Sequence, residues 1–294
     1  AAPPGENLNY ILTYRNNSNV TLENVVITAA VTSEMVDFTR ARSHGYLNSL
    51  TNTFTWNQAN TPALAQVTPG KSDDLDLALP IKKDYPIKRL GDKNYSVKLH
   101  VQIESPTVPE NTGAAKTVSV TDNETKVAGR TDLNALGFYV EKSGFATNTG
   151  PYPPKVNTPT QYTVHWRLTN YSTDLSNVHV SAFLQNNTHF TGLVTSTINY
   201  VPKFNAASGE MSWDIPNLPA GKGLLGDPVE AIFQLENTPA VNDVGGLVEI
   251  LGETKLTAND DFTGQSVLKT DQSLNTGLPD DVISSKNKDV NVQP

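Results

Sequence analysis

The feature that most constrains this chain is a short pattern that occurs twice, about half a chain length apart. Residues 13–28 read TYRNNSNVTLENVVIT, and residues 166–181 read WRLTNYSTDLSNVHVS. Each contains an asparagine, a short polar gap and Leu-x-Asn-Val-x-(Ile/Val), with alternating apolar and polar residues on either side. The pattern predicts a strand, an Asn-rich turn and a second strand, written twice.

Further matches follow the repeated pattern through the rest of the chain. The matched segments are TFTWN and EMSWDIPNL (53–57 and 210–218), TPGKS and PAGKG (68–72 and 219–223), LDLALPI and VEAIFQLE (75–81 and 229–236), and ETKVAGRTDL and ETKLTANDDF (124–133 and 253–262). The first of these pairs contains one tryptophan in each copy, Trp56 and Trp213. Matches that recur in the same order indicate an internal duplication.

Period-two alternation predicts that the fold is all-β. In the first segment Leu8, Tyr10, Leu12 and Tyr14 fall on one face, as in a strand with one buried side. Hydrophobic residues make up 37% of the chain, which is enough for a core. Charged residues make up 18%, which is too few for a disordered polyampholyte. About seven short strands separated by turn residues is the pattern of a β-sandwich.

The duplication and the proline content predict a domain organisation. We expect the first sandwich at 1–146 and the second at 160–281, followed by an extended C-terminal tail at 282–294. Between the sandwiches, TNTGPYPPKVNTP at 147–159 contains four prolines, which favour an extended, semi-rigid linker.

Charge and cysteine content exclude several classes of protein. The formal net charge is −8 and the pI is near 5.1, which disfavours nucleic acid as a partner. The absence of cysteine excludes disulfides, thiol catalysis and Cys-ligated zinc. No run approaches the length of about 18 apolar residues that spans a bilayer, so we expect no membrane span in this chain.

These segments resemble a known kind of repeat. G-E-x-L-x-Y-x-L-x-Y-x-N-x-S, L-x-N-V-x-I, the Trp strand and the P-G-K turn resemble the conserved Ig-like repeats of bacterial and archaeal surface proteins. The second copy is similar to tandem repeats in large exported proteins of candidate-phyla (Patescibacteria-type) bacteria. Over about residues 5–280, the resemblance implies two tandem Ig-like β-sandwich domains, a stalk-like role and an extracellular or cell-surface location. It implies no catalytic or ligand-binding residue.

Few side chains suggest chemistry. The acidic residues Asp73, Asp74, Asp76, Asp260 and Asp261 are candidate calcium ligands, although none fits an Asp-x-Asp-x-Asp-Gly loop with a distal glutamate. Otherwise we expect solvated turn carboxylates and no cofactor.

Histidines and tryptophans are assigned to the fold. His100 and His165 alternate with apolar residues, which predicts that both lie on polar faces of strands. Trp56, Trp166 and Trp213 could stack on sugar rings, but their place in alternating strands favours core packing.

The leading functional hypothesis is therefore a non-enzymatic structural protein whose repeats form a stalk. A second is a filament in which a terminal segment adds a strand to the open sheet edge of a neighbouring repeat or an identical subunit. Candidate polymerisation residues are Leu8, Tyr10, Val290 and Val292. The alternative is an adhesin module that binds a glycan or a protein, with calcium-stiffened domain edges.

Overall fold

Antiparallel strands dominate the structure, a computed structural model that describes residues 1–109, 113–282, 284 and 290–294. The structure has 3₁₀ turns at Pro62–Leu64 and Val241–Asp243, and no helix of the described residues is long and apolar enough to cross a membrane. Residue contacts divide the chain into unit 1 (Ala1–Pro86 and Asn94–Ala128) and unit 2 (Ile87–Lys93 and Gly129–Pro294).

Unit 1 contains ten strands in two main sheets. The strands are β1 (Asn7–Arg15), β2 (Leu22–Glu23), β3 (Val26–Thr32), β4 (Arg42–Ser43), β5 (Tyr46–Asn48), β6 (Thr53–Trp56), β7 (Gln66–Val67), β8 (Ser72–Pro80), β9 (Ser96–Ser105) and β10 (Thr117–Lys126). One sheet has the order β1-β8-β4 and the other β10-β9-β3-β6-β5, while β2 pairs with β7.

Unit 2 contains eleven strands. They are β11 (Thr131–Phe138), β12 (Thr160–Asn170), β13 (Leu175–Phe183), β14 (Thr188–Ser196), β15 (Lys203–Asn205), β16 (Glu210–Leu218), β17 (Val229–Asn237), β18 (Glu249–Leu251), β19 (Thr254–Asp260), β20 (Ser266–Asp271) and β21 (Leu274–Asn275). The two main sheets have the orders β11-β12-β17-β14 and β15-β16-β13-β19-β20, and β18 pairs with β21.

The two units share one strand order. The order β10-β9-β3-β6-β5 matches β20-β19-β13-β16-β15 strand for strand, and β1-β8-β4 matches β12-β17-β14. The predicted all-β fold of two β-sandwiches is confirmed. In its two main sheets unit 2 has one additional strand, β11, outside β12.

The sequence match between the two ETK segments does not join equivalent strands. Glu124–Lys126 ends β10, an edge strand, whereas Thr254 and Lys255 begin β19, an inner strand. By strand order the counterpart of β10 is β20, so this expected equivalence was wrong.

The structure also corrects the predicted boundaries at 146 and 147–159. The main segment of unit 2 begins at Gly129, because β11 pairs with β12 along its whole length. The predicted linker belongs to unit 2, where the Asn148 amide donates to Phe138 O and the Tyr152 hydroxyl donates to Thr276 O. These hydrogen bonds make the Pro-rich segment part of a sandwich rather than a spacer.

The repeated asparagines have a conformational role. Asn24 and Asn177 have φ values of +49° and +51°, the left-handed region that asparagine tolerates better than most residues. In unit 2 this residue coincides with a break in the β13–β19 register between Ser176 and His179.

A second pair of asparagines lies at the end of β1 and at the end of its counterpart β12. Asn16 is 2% exposed, and its amide donates to Val20 O and Val67 O, each at 2.8 Å. Asn170 is fully buried, and its amide donates to Thr173 O at 2.7 Å and Leu218 O at 3.0 Å. The repeated asparagines therefore satisfy backbone carbonyls that burial removes from water.

Replacing Asn170 tests this role. Asn170→Ala should lower the free energy of unfolding of unit 2 by about 1–3 kcal/mol, because buried carbonyls lose their donor. Hydrogen exchange read by mass spectrometry reports each unit separately. Asn217→Ala, at an exposed position of β16, is the matched control, and equal protection in the two variants would contradict the assigned role.

Candidate functional site

The acidic calcium candidates fall into two groups with different surroundings. Asp73, Asp74 and Asp76 are exposed on strand β8, not on a loop, and Asp74 accepts a hydrogen bond of 2.6 Å from the Thr13 hydroxyl. Side chains alternate along a strand, so Asp73 lies on the opposite face of β8 from Asp74 and Asp76 and the three carboxylates do not face one point.

The second group is engaged by the backbone. Asp260 is 2% exposed and accepts the N–H groups of Phe262 and Thr263, both at 2.9 Å, while Asp261 accepts from the Ser176 hydroxyl at 2.6 Å. Among the described residues, no three His, Asp or Glu side chains are grouped so that they could hold a metal ion.

The tryptophans lie in the cores. Trp56, Trp166 and Trp213 are all 0% exposed, which confirms the core assignment. Phe233 packs against Trp166 edge to face with ring centroids 4.9 Å apart. None of the three presents a ring face to a sugar.

One histidine departs from the sequence prediction. His100 lies on an exposed strand face with its Nδ1 2.7 Å from Asp122, but His165 is 4% exposed. The ring of His165 lies between two carboxylates, with Nε2 2.7 Å from Glu141 Oε2 and Nδ1 2.8 Å from Glu230 Oε1. The segment after β11 covers this face, which alternation within β12 alone could not indicate.

Hydrogen bonds link the polar side chains around His165. Carboxylate oxygens only accept hydrogen bonds, so both ring nitrogens donate when the imidazole is protonated. Arg167 Nε donates to Glu230 at 2.6 Å, and the Phe138 ring meets the imidazole edge to face at 4.9 Å. Burial raises the pKa of the Glu141 carboxyl, but hydrogen bonds from Ser143 and His165 outweigh it and hold the pKa below its ordinary value. The cluster ties the segment after β11 to β12 and β17.

Removing the imidazole should destabilise unit 2. His165→Ala leaves two carboxylates without their shared partner, of which Glu141 is 2% and Glu230 12% exposed in the side chain. We expect a loss of about 3–5 kcal/mol in the free energy of unfolding, measured by hydrogen exchange of unit 2 peptides. His179→Ala, whose Asp214 pair is solvent-exposed, should change little. Similar losses in both variants would refute the assignment.

The lowered pKa of Glu141 predicts acid sensitivity. A carboxyl with a depressed folded-state pKa adds stability above its unfolded pKa, about 4.3 for glutamate, and loses it as the pH falls through the folded value. The free energy of unfolding of unit 2, measured by denaturation at a series of pH values, should therefore fall less between neutral and strongly acid pH for Glu141→Gln than for the native chain. An unchanged slope would show that Glu141 does not contribute.

A candidate interaction site is the free edge of β1, the strand that contains Leu8 and Tyr10. β1 ends its sheet, and among the described strands its one partner is β8. Ile81 N–H donates to Glu6 O, and Asn16 N–H donates to Lys71 O, so the backbone groups of the even-numbered residues face β8. Those of the odd-numbered residues face the opposite edge, where none of the described strands pairs.

The equivalent strand in unit 2 has no free edge. β12 pairs with β17 on one side and with β11 on the other. Its inward side chains are covered, since Tyr162, Val164 and Trp166 are each 0% exposed. At the matching positions of β1, Leu8, Tyr10 and Leu12 remain only half-buried.

A groove runs beside this free edge. Its lining consists of apolar residues from both sheets together with residues of β10, and the apolar ones are Leu12, Tyr14, Ile27, Val101 and Ile103. Beyond the groove, the Tyr10 hydroxyl lies 2.8 Å from Thr125 Oγ1 of β10 and joins the two strands. In unit 2 the corresponding space is filled by β11, whose Ala135 N–H donates to Asp271 of β20 at 2.7 Å.

The predicted polymerisation residues near the C-terminus lie elsewhere. Val292 is 1% exposed and forms a parallel bridge with Val244, and its N–H donates to Gly246 O. Val290 is half-buried. Part of the predicted donor segment at 288–294 lies outside the described residues, but its last residues bind unit 2 of the same chain.

Comparison with known proteins adds the following. No protein-family model and no curated protein matches the chain. Similar solved structures include the C-terminal domain of the AgI/II polypeptide BspA of Streptococcus agalactiae, with 12% identity and a TM-score of 0.29 over 92% of this chain and 93% of that one.

Two further structures are similarly distant. The C-terminal domain of the Streptococcus pyogenes antigen I/II-family protein AspA has 11% identity and a TM-score of 0.32, covering 93% of each chain. The major pilin SpaD of Corynebacterium diphtheriae has 11% identity and a TM-score of 0.32, covering 87% of this chain and 59% of the pilin. Scores at this level support no argument about function.

Proposed function

We propose that this protein is a non-enzymatic, structural module of an extracellular or cell-surface protein, built from two copies of one Ig-like repeat in a stalk. The observation that carries this proposal is the strand order, which is the same in both units. Because each copy buries its own tryptophans, stability is local, as in repeat proteins whose length can change without loss of folding.

The side-chain chemistry supports a structural role. The buried charged cluster at His165 and the buried Asp260 serve hydrogen bonds within unit 2. The described lysines are exposed or half-buried, so none lies in a dry core where a Lys–Asn isopeptide cross-link would form. Strength in such a stalk would come from strand pairing, which is extensive in both units.

A glycan-binding adhesin remains the alternative prediction. It would have to use aromatic residues other than the three tryptophans, because all of these are buried. Calcium-stiffened edges stay a prediction of the same kind, and the Asp260 carboxylate already accepts backbone donors.

Protease treatment of intact cells tests the proposed location. Cells that produce the protein, treated with proteinase K, should lose the signal from an antibody against unit 2, because the chain is outside the envelope. A cytoplasmic protein in the same cells must stay intact as the control. Digestion only after lysis would refute a surface or extracellular location.

A further inference from the structure

We infer that the free edge of β1 binds an extended segment of another polypeptide, which adds antiparallel to β1 in the place that β11 occupies in unit 2. The segment has the chemistry of β11: small or aliphatic side chains at every second position, with an acidic and an apolar residue on the outer face. Such strand addition takes its affinity from backbone hydrogen bonds and its specificity from alternate side chains.

Unit 2 supplies the register. β11 pairs from Thr131 opposite Asn170 to Phe138 opposite Thr163. Aligning Asn170 with Asn16, which ends β1 with the same buried amide, places the added strand opposite residues 9–16 of unit 1. The even-numbered residues of β1 already bond to β8, so the added strand takes the free groups of the odd-numbered ones.

The inward face of the groove suits small residues. The side chains of β11 that point inward are Thr131, Leu133, Ala135 and Gly137, all buried. In the transferred register Gly137 falls opposite Tyr10, where the hydroxyl contact with Thr125 leaves little room. Ala135 falls opposite Leu12, whose side chain is only half-buried without the strand.

The outer face shows a charge and an apolar match. In unit 2, Asp132 lies opposite Thr169 and Leu136 opposite His165. The same register in unit 1 places Asp132 opposite the exposed Arg15 and Leu136 opposite Ile11, which is 68% exposed. Opposite charges and apolar pairs directly across strands both stabilise a sheet, so the sequence of β11 complements β1 at both positions.

A peptide titration tests this surface. The probe is a synthetic peptide of residues 130–139, RTDLNALGFY, added to the full isotope-labelled chain. We expect saturable binding with NMR shift changes centred on residues 9–16. A lack of saturable binding, or shift changes confined to unit 2 through exchange with its own β11, would overturn the inference.

N-methylated peptides provide a matched control. Ala135 N–H points away from β12, as its bond to Asp271 shows, whereas the N–H groups of Asn134 and Leu136 point toward it. Methylation at Asn134 or Leu136 should weaken binding about tenfold or more per lost hydrogen bond, and methylation at Ala135 should change it little. Equal effects at the three positions would contradict an antiparallel strand.

Ile11→Pro tests the chain itself. Ile11 N–H faces the free edge, so proline removes a donor that β8 does not use and is tolerated on an edge strand. We expect the variant to remain folded by hydrogen exchange and to lose peptide binding, while Ile11→Thr keeps it. Retained binding by a folded Ile11→Pro chain would refute the site.

Light scattering tests whether a second copy of this chain, rather than a β11-like segment, occupies the edge of β1. A concentration-dependent dimer of the native chain that Ile11→Pro abolishes would show that β1 pairs with β1 of a second copy, and would overturn the proposed strand partner. A chain that stays monomeric and binds the peptide supports it. The edge would bind a strand wherever the protein resides, so this result and surface digestion are independent outcomes.

Discussion

Each unit of this protein depends on one non-local pairing, between β1 or its counterpart β12 and the strand that follows the Gly-Lys turn. β1 pairs with β8 and β12 with β17, which joins segments about 60 residues apart and closes one face of each sandwich. Because a pairing of this separation costs loop entropy before it stabilises anything, it needs strong local support. The buried amides of Asn16 and Asn170 provide it, since each bonds carbonyl groups of the adjoining segments.

The edge of β1 and of β12 that faces away from this pairing distinguishes the two units. In unit 2 the edge is paired by β11, and the aromatic and aliphatic side chains of β12 are completely buried. In unit 1 the edge has no described partner strand, and Ile11 faces solvent. An unpaired edge is a template for another strand. Unit 1, which has no counterpart of β11 among its described strands, therefore keeps a place where a further strand can pair with its sheet.

Much of the fold could be predicted from the sequence because its signals are local. Period-two alternation located β1 and β12, and a tryptophan within an alternating strand marked a core position in each unit. The recurring Asn24 and Asn177 have positive φ in both units, a property that asparagine carries by itself. The ETK match misled because it compared residue identity in segments whose strands differ in position within the sheet.

The candidate site was less predictable, for a physical reason. His165 reads as a surface residue of an alternating strand, and only the segment after β11 brings Glu141 to its ring. Leu8 and Tyr10 were predicted as candidate polymerisation residues, but the sequence could not show which edge of their strand is free. Val290 and Val292 carry the same strand-like pattern, yet the described C-terminal residues bind unit 2 itself.

The sequence by itself determined the all-β class, the two sandwiches and the residues that fill their cores, because alternation and turn chemistry act over a few neighbouring residues. The tertiary structure alone decided that the main segment of unit 2 begins at Gly129, that the Pro-rich segment belongs to a sandwich, and that β11 completes one sheet while β1 keeps an open edge. Whether an edge is open depends on which strand lies beside it, and that neighbour is distant in sequence.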